Sequence, residues 1–333
     1  MQRTLRFLRE DAPGPLWRAR AEALLPGYLG WFTREGLVAR PGYLQCEGAL
    51  SEHMPELVPV WRELCELLGG GDLVARLLSL WCPPPFLAGC SQIAWPLGGG
   101  ALVRNYDYAP WLWEGDLWNV SWFGRRVQGM GDCLWGMLDG LNESGLALSL
   151  AFGGSREVAV GFGMPLILRY VLETCATVRE AAGVLERVPS HMAYNVTAVD
   201  AAGDALTVEV RPGGGGRTSD ARLAVNHQRD SEWQEYARRT ASAAREQCLR
   251  RLLAGPPLSA LDLAARFLEP PLWAGGFSTG YGTLYTAVHE PGARRTTLLW
   301  HDGSEVLDLR DFQAGERTVT LIPRTAPRAG IGP

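Results

Sequence analysis

The chain has no lysine: all 32 basic residues among its 333 are arginine. That absence excludes a Schiff-base amine, a phosphate-loop lysine and a Ser-Lys dyad together. Charge of one sign is also scarce in excess. A formal net charge of -4 and a pI near 5.8 leave no polyelectrolyte footprint, so a nucleic-acid partner is not indicated. No window approaches the roughly 18 apolar residues that a membrane span needs, and MQRTLRFLREDAPGPL lacks the uninterrupted apolar stretch of a secretory signal. The reading is a cytoplasmic protein with no membrane partner. Seven cysteines, an odd number and none at C-x-x-C spacing, describe neither a disulfide framework nor a zinc site. His191, His289 and His301 show no metal-ligand spacing, so neither a metal nor any other cofactor is expected.

What is present is material for a large core, with 47% hydrophobic and 20% charged residues. Residues 1–88 read as mainly helical, in PLWRARAEALLPGYLGWF, SEHMPELVPVWRELCELLG and DLVARLLSLW, where apolar residues recur at three and four. Ser51 is placed as an N-cap, and Gly69, Gly70 and Gly71 close the helix that follows. Pro83, Pro84 and Pro85 stop the helical segment. From Cys90 the period becomes that of strands: CSQIAW, a turn at 97–100, and ALVRNYDY form a hairpin. CLWGMLDGLN with GLALSLAF, and MAYNVTAVD with ALTVEV, are further pairs. Helices are expected at GMPLILRYVLETC, at TVREAAGVLERV behind a Thr177/Glu180 capping box, at SEWQEYARRTASAAREQCLRRLLA behind Ser231 and Gln234, and at LSALDLAARFLE. Strands close the chain before a frayed tail from residue 323. Two antiparallel sheets packed face to face, with helices outside, account for this order.

Cys90 carries the chemistry. A thiolate attacks an amide carbonyl only if something takes its proton and something else holds the oxyanion. A cysteine that begins a helix and pairs with a distant histidine is one solution, but Cys90 begins a strand. The other is the free α-amine exposed when the chain is cut just before the nucleophile, whose ordinary pKa of about 7.7 to 8.0 suits a base. Gly89 leaves room for such a cut at 89–90. Arg104 and Asp107, on the hairpin partner, can act on the thiol and the new amine. Strand alternation puts them on opposite faces unless a bulge intervenes. The bland readings are a buried thiol for Cys90, a strand-end carboxylate for Asp107 and a turn cap for Asn226. His227 is read as a solvated loop histidine. WLWEGDLWNVSWFGRRVQGMGDCLW is a tryptophan-rich loop that packs in the core or lines an apolar acyl pocket, with Tyr108, Trp111 and Trp113 as its wall.

GCSQ at 89–92, RNYD at 104–107, GLNESGLALSLAF at 140–152, the AYNVTAVDAAGDALTVEV hairpin and AVNHQ resemble the N-terminal-nucleophile amidases of the choloylglycine hydrolase and penicillin acyltransferase group, over roughly residues 52–310. The helical segment before Gly89-Cys90 resembles the acyltransferase branch, whose precursor is cut at a Gly-Cys bond. The resemblance implies an α+β fold, a four-layer αββα sandwich, divided into a helical pro-segment (1–89), a catalytic domain (90–322) and a tail (323–333). It implies Cys90 as nucleophile with Arg104 and Asp107 beside it, and Asn226 as an oxyanion donor. The expected activity is autoproteolytically activated amide hydrolysis or acyl transfer through a thioester on a small-molecule substrate, with homo-oligomerisation open. Two departures stand out. Ala151 occupies the place of a second oxyanion asparagine, and GGFSTGYGTLYTA lacks a later arginine that relatives carry. The rival reading is a catalytically silent, uncleaved binding protein of the same fold.

Overall fold

The computed structural model describes residues 1–96, 99–230 and 233–322. The turn residues 97 and 98, Ser231 of the expected capping box and the 323–333 tail lie outside them. The chain opens with a strand that helical periodicity did not suggest, β1 (Gln2–Glu10). Its pattern is two-residue: Leu5 and Phe7 are buried, while Arg6 between them reaches Asp116 at 3.4 Å. Four helices follow, α1 (Pro15–Phe32), α2 (Tyr43–His53), α3 (Leu57–Leu67) and α4 (Asp72–Ser79). Ser51 is no N-cap. It sits in the last turn of α2 and donates to the Glu47 carbonyl at 2.8 Å, while α3 starts later, behind Glu56.

Next come β2 (Gly89–Trp95) and β3 (Ala101–Tyr108), then β4 (Asp116–Val120), β5 (Val127–Asp132), β6 (Gly136–Asn142) and β7 (Leu146–Phe152). The tryptophan-rich stretch is therefore not a loop. It supplies β4 and β5, and Trp118, Trp122 and Trp135 from it are core residues. Helices α5 (Met164–Thr174) and α6 (Val178–Arg187) precede the pair β8 (Tyr194–Asp200) and β9 (Ala205–Val210), with short strands β10 (Arg217–Ser219) and β11 (Leu223–Ala224) after them. Thr177 caps α6 as expected, its hydroxyl accepting from the Glu180 N–H at 3.2 Å. The long helix expected at 231–254 is broken into α7 (Gln234–Arg239) and α8 (Ser242–Ala254) by Ala241, whose φ of 51° is left-handed. Helix α9 (Ala260–Phe267) and strands β12 (Gly282–Glu290), β13 (Arg295–Trp300), β14 (Gly303–Asp308) and β15 (Gly315–Thr320) complete the order.

One sheet runs β10-β9-β8-β7-β6-β5-β4-β1-β15 and the other β11-β2-β3-β12-β13-β14. The first is not purely antiparallel, because β1 lies parallel to β4 from Arg6↔Asp116 to Glu10↔Val120. The sheets face each other through β2 and β3 against β7 and β8, with α5 and α6 outside the larger sheet and α8 and α9 outside the smaller. This is the four-layer αββα arrangement. Strand β2 is consequently buried on both faces. Gln92 bridges the sheets, donating to the Thr197 hydroxyl at 2.9 Å and accepting from Ser149 at 2.6 Å, so the polar side chain inside the sandwich is satisfied.

The division at residue 89 does not divide the fold. Because β1 is hydrogen-bonded between β4 and β15, the first 89 residues contribute a strand to the nine-stranded sheet as well as four helices.

Candidate active site

Strand pairing sets the geometry. Opposite Gly89, Cys90, Ser91 and Gln92 of β2 stand Asp107, Tyr106, Asn105 and Arg104 of β3. Alternation sends Cys90, Gln92 and Arg104 into the space between the sheets. Asn105 faces the helical layer, bonding the Phe267 and Leu272 carbonyls, and Asp107 shares its face. No bulge brings Arg104 and Asp107 to one side. They flank the Gly89-Cys90 segment from opposite faces, so each reaches a different part of it.

On the inner face, Arg104 Nη2 lies 3.0 Å from Cys90 Sγ. Its other nitrogen is held by Asp139 Oδ2 at 2.7 Å and by the Leu138 carbonyl. Asp139 in turn accepts from Tyr285 and bonds His289; although burial raises its carboxyl, the Arg104 charge first, then His289 and Tyr285, keep it below the ordinary range. The guanidinium is thus fixed by Asp139, and not by Asp107 opposite Gly89.

Burial pushes the Cys90 thiol up to about 11, against the opposing pull of Arg104 and Arg245. In the intact chain it is a protonated thiol with no exposure. Desolvation outweighs two nearby cations here because the sulfur has no water at all.

On the other face, Asp107 accepts from Thr283 Oγ1 at 2.7 Å and faces Arg245 at 3.6 Å. Burial raises its carboxyl above the ordinary value, and Arg245 and Thr283 oppose that shift.

Asn226 spans the same peptide. Its Oδ1 accepts from the Cys90 N–H at 2.9 Å, while its Nδ2 donates to the carbonyls of Ala88 at 3.3 Å and Phe152 at 3.2 Å. The expected neighbours of Cys90 are therefore assembled, and Asn226 is aimed at the backbone on both sides of Gly89.

Three residues at the site were not anticipated. Arg245, fully buried on α8, donates to Asn226 Oδ1 at 2.7 Å, to Ser91 Oγ at 3.0 Å and to the Cys90 carbonyl. Its Nε is tied to the Thr240 carbonyl at 2.8 Å, in the α7–α8 break. An arginine does reach the site, from a helix instead of from the stretch before β12. No local signal separated it from the other arginines of that helix, since its role depends on the kink. The second is Tyr281, whose buried hydroxyl has no partner among the described residues. It sits where a side chain on residue 89 would go: an added Cβ would lie 1.4 Å from that oxygen. The third is Asn195, directly across from Ala151 in the β7–β8 register. It donates to the Val225 and His227 carbonyls at 2.9 and 3.0 Å. It therefore braces the loop that carries Asn226 and does not stand in for the missing asparagine.

His227 is not a solvated loop side chain either. Its ring nitrogens contact Ser242 at 2.8 Å and Glu246 at 3.0 Å, which leaves neither for Cys90. Tyr108, Trp111 and Trp113 line one cavity of about 210 Å³, together with Tyr28, Trp31 and Phe86.

The model of the acyl-coenzyme A:6-aminopenicillanic acid acyl-transferase family matches residues 97–305, more than half of the chain. The chain belongs to that family. The matched span includes Arg104, Asp107, Asn226 and Arg245, and it begins just after Cys90. The family is one of acyl-transferases. No curated protein matches it by sequence.

Among solved structures it is similar to a mutant conjugated bile acid hydrolase from Clostridium perfringens, at 11% identity and a TM-score of 0.44, over 72% of this chain and 99% of that one. Penicillin V acylase from Agrobacterium tumefaciens matches at 15% identity and a TM-score of 0.41, over 69% and 90%. A Caenorhabditis elegans ortholog of N-acylethanolamine-hydrolyzing acid amidase matches at 17% identity and a TM-score of 0.44, over 61% and 93%.

Proposed function

We propose that the protein is a cysteine amidohydrolase or acyltransferase, activated by cleavage of its own Gly89-Cys90 bond, that acts on small-molecule amides through a thioester at Cys90. The reading rests above all on one arrangement. Arg104 contacts the Cys90 sulfur at 3.0 Å, and Asn226 accepts from the Cys90 N–H at 2.9 Å. Sulfur and backbone nitrogen of the same residue are thus each provided with a polar partner before any cut.

In the cleavage step the sulfur attacks the Gly89 carbonyl. The Gly89-Cys90 C–N bond breaks, the nitrogen leaves as the Cys90 amine with a proton, and water releases the thioester as a Gly89 carboxylate. The freed amine then takes the proton from the thiol in each turnover. Attack on a substrate amide expels its amine and leaves an acyl thioester, which water or an acceptor amine discharges. Arg104 stabilises the thiolate by charge, Asn226 supplies an amide donor to the oxyanion, and Asp107 and Arg245 hold the new terminus. Residues 1–89 become the small chain of the mature enzyme. We keep the cytoplasmic placement, in which all seven free cysteines would remain thiols.

A second reading is favoured by one observation: Ala151 offers no side-chain donor and Asn195 is committed elsewhere. In it the chain is never cut and only binds a small molecule. Denaturing electrophoresis separates the two. Processing gives fragments of roughly 10 and 27 kDa from the 36.4 kDa chain, and Cys90→Ala gives one band. A single band from freshly made and from aged wild-type protein refutes the enzymatic reading.

A further inference from the structure

We infer that the aromatic cavity lined by Tyr108, Trp111 and Trp113 is a binding site for the ammonium group of a cationic substrate, with Glu114 and Asp132 as its counter-charge. The inference rests on the proposed function only in calling the ligand a substrate. The cavity, about 210 Å³, opens to solvent past Trp111 and Leu112, which are 59% and 54% exposed. Large apolar side chains left in water around a concave site mark a place where something binds. Behind them the walls are the rings of Tyr28, Trp31, Phe86, Tyr108 and Trp113. Trp113 Nε1 is buried without a partner among the described residues.

Two carboxyl groups belong to this apolar lining. Glu114 accepts from the Leu134 N–H at 2.9 Å and from the Tyr28 hydroxyl, which also reaches Asp132 at 3.3 Å. Of the other buried carboxylates, Asp107, Asp116, Asp139 and Glu173 each face an arginine, and Asp200 accepts from the N–H groups of Val178, Ala202 and Asp204. Among the described residues, neither Glu114 nor Asp132 forms an ion pair with any of the chain's cations.

A desolvated negative charge without a counter-charge is unfavourable, and an aromatic box is where a cation is best held without water. Burial and mutual repulsion raise Glu114 to about 8, and burial raises Asp132 to about 6. Near neutrality the pair therefore carries about one negative charge. A single ammonium on an apolar body matches that charge and those walls.

The cavity's walls run towards the site around Cys90. Tyr108 follows Asp107 on β3, and Phe86 lies three residues before Gly89. Trp113 stacks on Tyr285, which bonds the carboxylate holding Arg104.

The test uses full-length Cys90→Ala protein, so that cleavage plays no part. Phenethylamine and uncharged phenylethanol are titrated while the tryptophan emission of the cavity wall is followed. At about pH 7.5 the amine should bind at least about tenfold more tightly, and this preference should fade towards pH 5 as both carboxyls protonate. Asp132→Asn, which removes the carboxylate ionised at that pH, should remove most of it.

Of the other titratable groups around the pair, burial pushes Tyr28, Tyr106, Tyr108, Tyr194 and Cys133 upward, away from this range. Burial also raises Asp116, against Arg20 and Arg6, but Asp116 does not line the cavity. Equal affinities for amine and alcohol, or an amine affinity that is flat with pH, overturn the inference. The pH series needs no further substitution, so an Asp132→Asn protein that failed to fold would not suspend the test. Amine binding by a wild-type chain that is never cut would refute the proposed reaction alone. Normal processing without amine preference would refute this inference alone.

Discussion

Gly89 gives the sharpest quantitative test, because what excludes a side chain there is a single residue. A Cβ built on Gly89 would lie 1.4 Å from the Tyr281 hydroxyl oxygen, 2.7 Å from its Cζ and 3.1 Å from the Asp107 Cβ. The first two are far inside van der Waals contact, so either the ring or strand β2 has to move. Forcing extra volume into a packed interior costs about 1–3 kcal/mol. The Tyr281 hydroxyl has no hydrogen bond to lose among the described residues, so Tyr281→Phe should be nearly neutral, whereas Tyr281→Ala leaves a cavity and costs about 3–5 kcal/mol.

The informative quantity is the coupling between Gly89→Ala and Tyr281→Ala, measured by denaturant unfolding in the Cys90→Ala background, where no cleavage confuses the transition. If the clash is the reason for the glycine, the double variant should be less destabilised than the sum of the singles by about 1–3 kcal/mol, the overpacking energy. Strict additivity would show that Tyr281 is not what excludes a side chain, and the steric account of Gly89 would be abandoned. With Cys90 intact, Gly89→Ala should also slow fragment formation on a gel by well over tenfold, since the displaced strand carries both the carbonyl and the sulfur.

Removing Arg245 should be severe: Arg245→Met strips the donor from Asn226 Oδ1 and the counter-charge from buried Asp107. We expect a loss of about 3–5 kcal/mol in denaturant unfolding and an uncut chain, and wild-type stability would contradict the role assigned to it. The two fragments made by cleavage should elute together in gel filtration and part only in denaturant, because β1 stays bonded to β4 and β15 across the cut. Glu114→Gln should change the pH dependence of melting. The carboxyls of Glu114 and Asp132 are raised in the folded state, so the stability gained from their bound protons is complete below about pH 4 and is lost as pH climbs through about 6 and 8. The variant's melting temperature should therefore gain on the parent's as pH rises from 5 to 9, and a constant difference would refute the assignment.

Much of this arrangement was legible in the chain. The β2–β3 hairpin, the paired strands β6–β7 and β8–β9, and helices α5, α6 and α9 follow from periods of two and of three to four, with turns and caps where short polar residues and glycines supply them. Strand β1 was not legible as such: nine residues with three arginines and a helix after them carry too weak an alternation, and it becomes a strand because β4 and β15 offer it edges. Strands β4 and β5 were hidden by the tryptophans in and around them, which fit a core strand as well as a loop. Arg245 was hidden by company, one arginine among several on a helix, singled out only by the Ala241 break that turns it inward.

What the amino-acid order determined alone is the local chemistry: a glycine before a cysteine, Arg-Asn-Tyr-Asp on the returning strand, and an asparagine in AVNHQ. Their convergence on one peptide bond was decided by pairing and layering, because antiparallel register puts Asp107 opposite Gly89 while alternation sends Arg104 to the sulfur's face. The tertiary structure also sets the thiol's state. Desolvation depends on what surrounds an atom in space, and no spacing along a chain specifies how much water is left around it.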